Sequence, residues 1–236
     1  MARRRWTIGA LIVLSLVFDA CVVEPRWLER TSIDLPHEAG SQAAVRVAVV
    51  SDLHTAGLGV VERAAVAVVG EAKPDLVVLT GDVVDSGDLD RARPVLAALV
   101  ATRPRLGVWA VAGNWEHWRP PTRDVGTFYS ELGITLLDDE ARPLESVGGG
   151  GLWIAGVDWE GSGARALREV PPGAPVIAIV HAPQTFDELR VRAREGDHRL
   201  VVLAGHTHGG QVRLPLLGAL WLPQGSGVYD EGLFGD

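Results

Sequence analysis

The sequence predicts an α/β fold, and three observations carry that prediction. Five runs of strand length are valine-rich and nearly continuous in apolar residues, as strands buried on both faces are. Segments with helical spacing alternate with them. Each run also stops at a short cluster of Asp, Asn, His or Gly, and in open α/β sheets ligands bind outside the carboxyl ends of the strands. In order, the runs are residues 45–50, 76–80, 108–112, 176–180 and 200–204, expected to form the sheet core. Helices are expected at 60–72, 89–102, 123–132 and 184–194. Two further strands, 143–147 and 152–157, flank the glycine run 148–151. That run reads as a hairpin connection and not as a phosphate loop, because no helix follows it and no lysine is near.

The chain has 236 residues, 47% hydrophobic and 22% charged, which supports one sizeable core and excludes a disordered tail or a collagen. Its net charge of −8 gives no basic footprint, so duplex nucleic acid is not expected as a partner. Cys21 is the single cysteine, which excludes an internal disulfide, a Cys-based zinc cluster and a Cys-X-X-Cys redox motif. Any metal must therefore be held by His, Asp, Glu or Asn.

Residues 1–24 read as a membrane signal or anchor. Arg3, Arg4 and Arg5 precede an apolar run, 6–23, near the lower length limit for crossing a bilayer. Arginines stay on the cytoplasmic side, so the expectation is a cell-membrane protein whose remaining chain is extracytoplasmic. Asp19 weakens the span, although it stands close enough to its end to approach the interface. The stretch from Phe18 to Cys21 is a poor cleavage site and only loosely resembles a bacterial lipobox, so a retained anchor is preferred over cleavage or lipidation. A buried helix of the domain is the competing reading. Residues 25–44, with Pro25 and Pro36, read as a stalk with one short strand at 32–35, and residues 45–236 as the domain.

The strand ends carry the chemistry. The first run enters Ser51-Asp52-Leu53-His54, and the second Gly81-Asp82-Val83-Val84-Asp85. The third enters Gly113-Asn114-Trp115-Glu116-His117, the fourth His181, and the fifth Gly205-His206-Thr207-His208-Gly209-Gly210. Asp-X-His and Gly-Asp pairs are each common by chance; what is specific is their joint order, each directly after a buried strand. Imidazole and carboxylate oxygen suit borderline divalent ions, and one carboxylate can bridge two ions about 3.5 to 4 Å apart. Two such ions bring a shared water near neutrality in pKa and hold a phosphoryl group for in-line attack, with no protein nucleophile. A single-zinc peptidase fits less well, because no His-Glu-X-X-His helix is present.

This series resembles the calcineurin-like metallophosphoesterase superfamily, over about residues 45–229, and the ending from Gly205 to Gln211 together with the N-terminal segment is similar to its bacterial membrane-associated branch. The resemblance implies a four-layer α-β-β-α sandwich with its site at the strand ends. It implies that Asp52, His54, Asp82 and His208 hold one divalent metal (Mn, Fe or Zn), and that Asp82, Asn114, His181 and His206 hold a second. The implied reaction is hydrolysis of a phosphomono- or phosphodiester, with a lipid or nucleotide phosphoester as the substrate classes considered. Two departures stand out. Family members usually have a histidine directly after the asparagine, where it contacts phosphate and can protonate the leaving group; here the residue is Trp115. His117 is the candidate to replace it catalytically, with a merely structural role as the alternative, and weak protonation would favour an acidic leaving group. The chain also ends soon after His208, so the second sheet is expected to be incomplete there.

Other residues keep plainer readings. Asp85 and Asp158 read as turn residues or supports for the ligands, and Glu116 as a partner that orients a histidine. His37 and His198 read as surface residues. Most tryptophans read as core, with Trp115 and Trp118 nearest the site in sequence. The rival to an enzyme is a catalytically silent scaffold with the same fold; a nuclease or nucleotide diphosphatase on the same centre is a third reading.

Overall fold

The computed structural model describes residues 2–23, 26–35, 44–119, 121, 123–144, 151–210, 213–214 and 218–235. The expected strand 143–147, the glycine run and His37 lie wholly or mostly outside these residues. Helix α1 (Ala2–Phe18) continues into a wider turn, Asp19–Val23. The stretch Trp6–Val23 has a mean hydropathy of 2.2 and none of it is buried, so by length and composition it can cross a membrane. The strand expected at 32–35 does not form: Ile33 and Leu35 lie exposed, and no strand among the described residues pairs with them.

The first sheet comprises β1 (Val47–Val50), β2 (Leu76–Leu79), β3 (Val108–Ala110) and β4 (Ile134–Leu136), in that order and all parallel. Helices α2 (Val60–Ala72), α3 (Arg93–Val100), α4 (Asn114–Trp118) and α5 (Val125–Glu131) lie between its strands in sequence. The expected helix 89–102 is divided into a short 3₁₀ turn, Leu89–Arg91, and α3. Pro94 explains the break, since proline fits the first turn of a helix and not its interior.

A second sheet has the order β5-β6-β7-β8, from β5 (Glu140–Pro143), β6 (Trp153–Val157), β7 (Pro175–Val180) and β8 (Arg199–Leu203), with β5 antiparallel and the rest parallel. Helices α6 (Gly163–Ala166) and α7 (Thr185–Glu195) accompany it. The five valine-rich runs therefore divide between two sheets, three in the first and two in the second. Periodicity could not show this division, because a strand buried on both faces looks the same in either sheet.

Side-chain alternation builds the layers. Leu76 and Val78 of β2 pack with Ile154, Ile177 and Ile179 between the sheets, while Val77 and Leu79 turn the other way, toward Leu96, Leu99 and Phe128. On the far side, Val176, Ala178 and Val180 of β7 pack with Leu189 and Ala193 of α7. The result is a four-layer α-β-β-α sandwich. After β8, the described chain adds a 3₁₀ turn, His208–Gly210, and a two-stranded antiparallel ribbon, β9 (Arg213–Leu214) and β10 (Gly218–Ala219), separate from both sheets.

Candidate metal centre

The carboxyl ends of β1, β2, β3, β7 and β8 converge on one cluster, and all seven candidate ligands are in it. Asp52 and His54 follow β1, Asp82 follows β2, Asn114 opens α4 after β3, His181 follows β7, and His206 and His208 follow β8. Five of the seven, Asp52, His54, Asp82, His206 and His208, have positive φ between 39° and 72°. Non-glycine residues rarely adopt that region, and such strain persists only where the surrounding structure over-determines it. The strand ends also approach closely. Gly81 has φ 97°, and a Cβ there would come within 2.6 Å of Gly113 N and 2.8 Å of His181 Nδ1.

Hydrogen bonds outside the cluster fix which ring nitrogen of each buried histidine is bare. His181 Nδ1 lies 2.7 Å from the carbonyl of Thr80, which only accepts, so Nδ1 carries the proton and Nε2 keeps its lone pair. His206 Nε2 lies 2.7 Å from the carbonyl of Gln224, so its Nδ1 is the bare one. These two lone pairs point at each other across 3.0 Å. His181 Nε2 is also 2.9 Å from Asn114 Oδ1 and 3.3 Å from Asp82 Oδ2. With both rings neutral, four acceptors converge with no donor between them, and a cation is what such a donor set fits.

The second group is Asp52, His54 and His208. His54 Nε2 and His208 Nε2 are 3.3 Å apart, and His208 Nε2 is 3.6 Å from Asp52 Oδ1. Asp52 Oδ1 is buried without a hydrogen-bond partner, whereas Oδ2 accepts from Ser51 Oγ and, at 2.9 Å, from His206 N. An orphaned carboxylate oxygen aimed at two imidazoles is again a cation's environment. Asp82 Oδ2 faces both groups, 3.8 Å from His54 Nε2 and 3.3 Å from His181 Nε2, while its Oδ1 accepts from Trp115 N at 2.9 Å. Asp82 therefore faces both residue groups.

Electrostatics follow from this crowding. Burial lowers the pKa of His54 and of His206, which favours the neutral, ligating form. Burial also pulls His181 down, but the adjacent Asp82 carboxylate outweighs it and leaves His181 above its ordinary value. Asp82 is correspondingly low: burial raises it, and the bond to His181 more than compensates. Exposure is graded as well, since the His181 side chain is 0% exposed while those of His54 and His208 are 22% and 32% exposed. The cluster opens toward solvent on the His54 and His208 side.

Glu116 does not orient a histidine. Its buried carboxylate accepts from three backbone N–H groups, those of Gly113 (2.8 Å), Asp82 (3.0 Å) and Val83 (3.0 Å), because the single turn of α4 points it back under the loops. It thus ties the end of β2 to the end of β3. His117 meets none of the seven among the described contacts; its Nε2 lies 2.9 Å and 3.1 Å from the two oxygens of Asp158. Asp85 is exposed and His198 half-buried. Trp118 and Trp221 are exposed, against the expectation of core, while Trp159 packs on the rings of His181 (5.7 Å) and His206 (5.1 Å). Sequence reasoning did not single out Gln224 or Thr80 as supports, and their contributions are backbone carbonyls, which leave no signal in side-chain identity.

Comparison with known proteins agrees with this geometry. A model described as calcineurin-like phosphoesterase matches residues 45–210. The chain is 27% identical over 229 residues to the uncharacterized metallophosphoesterase YkuE of Bacillus subtilis, covering 90% of this chain and 76% of that protein. It is 29% identical over 231 residues to phosphodiesterase YaeI of Escherichia coli, covering 89% and 77% respectively. A transmembrane protein with metallophosphoesterase domain from Danio rerio is 27% identical over 245 residues, with 95% of this chain covered but only 55% of that protein. With the matched segment spanning both sheets and every strand end of the cluster, the chain belongs to the calcineurin-like phosphoesterase family, whose members are metal-dependent hydrolases of phosphoester bonds.

Proposed function

We propose that this protein is a two-metal phosphoesterase whose domain, residues 45–236, is tethered by residues 1–24 and a linker, 25–44, to the outer face of the cytoplasmic membrane. The observation that carries the hydrolytic reading is the convergence of acceptors without donors at the two residue groups. Asp52, His54, Asp82 and His208 would hold one divalent cation, and Asp82, Asn114, His181 and His206 the other. Cations held there would supply the chemistry of a two-metal hydrolase, an acidified water and charge to stabilise a phosphoryl group during in-line displacement.

The protein's own contribution is to keep the ligands aimed. Thr80 and Gln224 hold the tautomers of His181 and His206, and Trp115 N occupies Asp82 Oδ1, leaving Oδ2 as the oxygen that would serve as a ligand. Glu116 fixes the separation of Asp82 and Asn114 through the backbone. In this reading His117 and Asp158 hold α4 against the end of β6, and His117 does not donate a proton. The tether rests on the exposed apolar run Trp6–Val23 and on the arginines before it. Lipid and nucleotide phosphoesters are the substrate classes to screen.

The full chain, purified with Mn²⁺, is expected to hydrolyse bis(4-nitrophenyl) phosphate, to lose turnover in chelator, and to regain it with Mn²⁺, Fe²⁺ or Zn²⁺. Asp82→Ala and His206→Ala are expected to abolish turnover while keeping the wild-type circular dichroism. Absence of turnover in a fully metallated wild-type protein would favour the scaffold reading. Protease added outside spheroplasts should degrade the domain; complete protection would reverse the proposed orientation.

A further inference from the structure

We infer that the phosphoesters taken by this centre carry a planar aromatic ring next to phosphorus, received between Trp115 on one flank and Trp159 with Trp118 on the other; this rests on the phosphoesterase reading above. Two rings besides the imidazoles stand directly against the cluster. Trp115 meets His54 edge-on at 5.8 Å, and Trp159 covers His206 at 5.1 Å and His181 at 5.7 Å. Trp118 extends the second flank by meeting Trp159 edge-on at 5.9 Å. It is 63% exposed, an indole held at the border of a polar cluster where nothing in the core requires it. The placement follows from α4: Asn114 opens the helix inside the cluster, Trp115 after it meets His54, and Trp118 one turn on meets Trp159. A phosphoryl group between the two residue groups would thus lie between indole rings, and an aromatic substituent can stack there at little conformational cost.

The same residues limit proton donation. Trp115 and Trp159 have no acidic proton near neutrality, and His117 Nε2 is turned to Asp158. A phenolate leaves without protonation in the transition state more readily than an alkoxide, so ring and leaving group coincide in an aryl ester. In the step, water oxygen bonds to phosphorus as the P–O(aryl) bond breaks. The electron pair departs on the phenolate oxygen, and the proton released by water is matched by one the phenolate takes from solvent.

The test is calorimetric titration of the Mn²⁺-loaded full chain with phenylphosphonate and with methylphosphonate, which cannot be hydrolysed by this route. Phenylphosphonate is expected to bind about tenfold more tightly, about 1.4 kcal/mol. Trp118→Ala should bring the ratio close to one and Trp118→Phe should retain most of it; the exposure of Trp118 makes both replacements compatible with folding. Equal affinities in the wild type, or a ratio untouched by Trp118→Ala, would overturn the ring proposal while leaving the phosphoesterase standing. If neither phosphonate binds, the phosphoryl site itself is refuted. Hydrolysis of phenyl phosphate against an O-phosphotyrosyl peptide then tells a small aryl ester from a tyrosyl one, and preference for a phosphoserine peptide over both would again overturn the proposal.

Discussion

The two ends of the first sheet use aspartate to opposite effect. At the amino end, Asp75 stands just before β2, and both its oxygens have donors: Arg46 N at 2.8 Å and Arg105 Nε at 2.7 Å. Arg46 in turn donates to the carbonyl of Ala72 at 2.8 Å. The starts of three neighbouring strands are tied together with their polar groups satisfied. At the carboxyl end, Asp52 keeps a buried oxygen without a donor, and Asp82 Oδ2 faces two imidazoles across a space lined by acceptors. One end is complete as folded protein; the other leaves acceptors facing one another, as the surroundings of a cation do. The lesson is that a binding site is legible as the place where a fold leaves its hydrogen bonding unfinished and its backbone strained.

Matched substitutions sharpen this contrast. The largest effect is expected from Asp52→Asn, which removes a ligand charge but keeps shape and tolerates positive φ. Metal affinity by calorimetry should fall more than the 10- to 100-fold typical of losing an outer partner, yet the melting temperature of the chelator-treated protein should not fall. A drop there would mean that Asp52 is a structural residue like Asp75. Next is Glu116→Gln, which places an amide donor among three N–H groups. It should weaken metal binding by roughly 10- to 100-fold through the misplacement of Asp82 and Asn114; unchanged affinity would show that the backbone holds these loops unaided.

The reverse pattern is expected from Asp75→Asn. Turnover should be close to wild type, while stability falls by about 1 kcal/mol, seen as a melting shift of about 2–4 °C for a domain of this size. The smallest effect is in the pH dependence of that difference. The N–H of Arg46, with help from Arg105, holds the Asp75 carboxyl below its ordinary value of 3.8. A depressed carboxyl stabilises the folded state above its unfolded pKa and loses that contribution as pH falls through the folded one. The gap between wild type and Asp75→Asn should thus be constant near neutrality and close below about pH 3.8. A gap that persists in acid would assign it to packing.

Much of the site was legible because its residues follow directly on buried strands. The stop from a valine-rich run to Asp or His is visible in the chain at 50–52, 80–82, 180–181 and 204–206. Less was legible where the decisive partner is a main-chain atom or a distant segment. Glu116 looked like a support for a histidine and serves three peptide N–H groups instead. For His117 the sequence left a catalytic and a structural reading side by side, and it gave no hint of its partner Asp158, far along the chain. The strand β4 has three residues and escaped notice because so short a run carries no periodicity.

By itself, then, the sequence determined the α/β class, the apolar N-terminal run and the identity of the candidate ligands, because burial on both faces and abrupt polarity are properties of contiguous residues. Only the tertiary structure decided how the strands divide into two sheets, which nitrogen of each histidine is bare, and which tryptophans border the cluster. Those depend on contacts between residues distant along the chain, such as His181 with Thr80 and His206 with Gln224, and no local pattern encodes them.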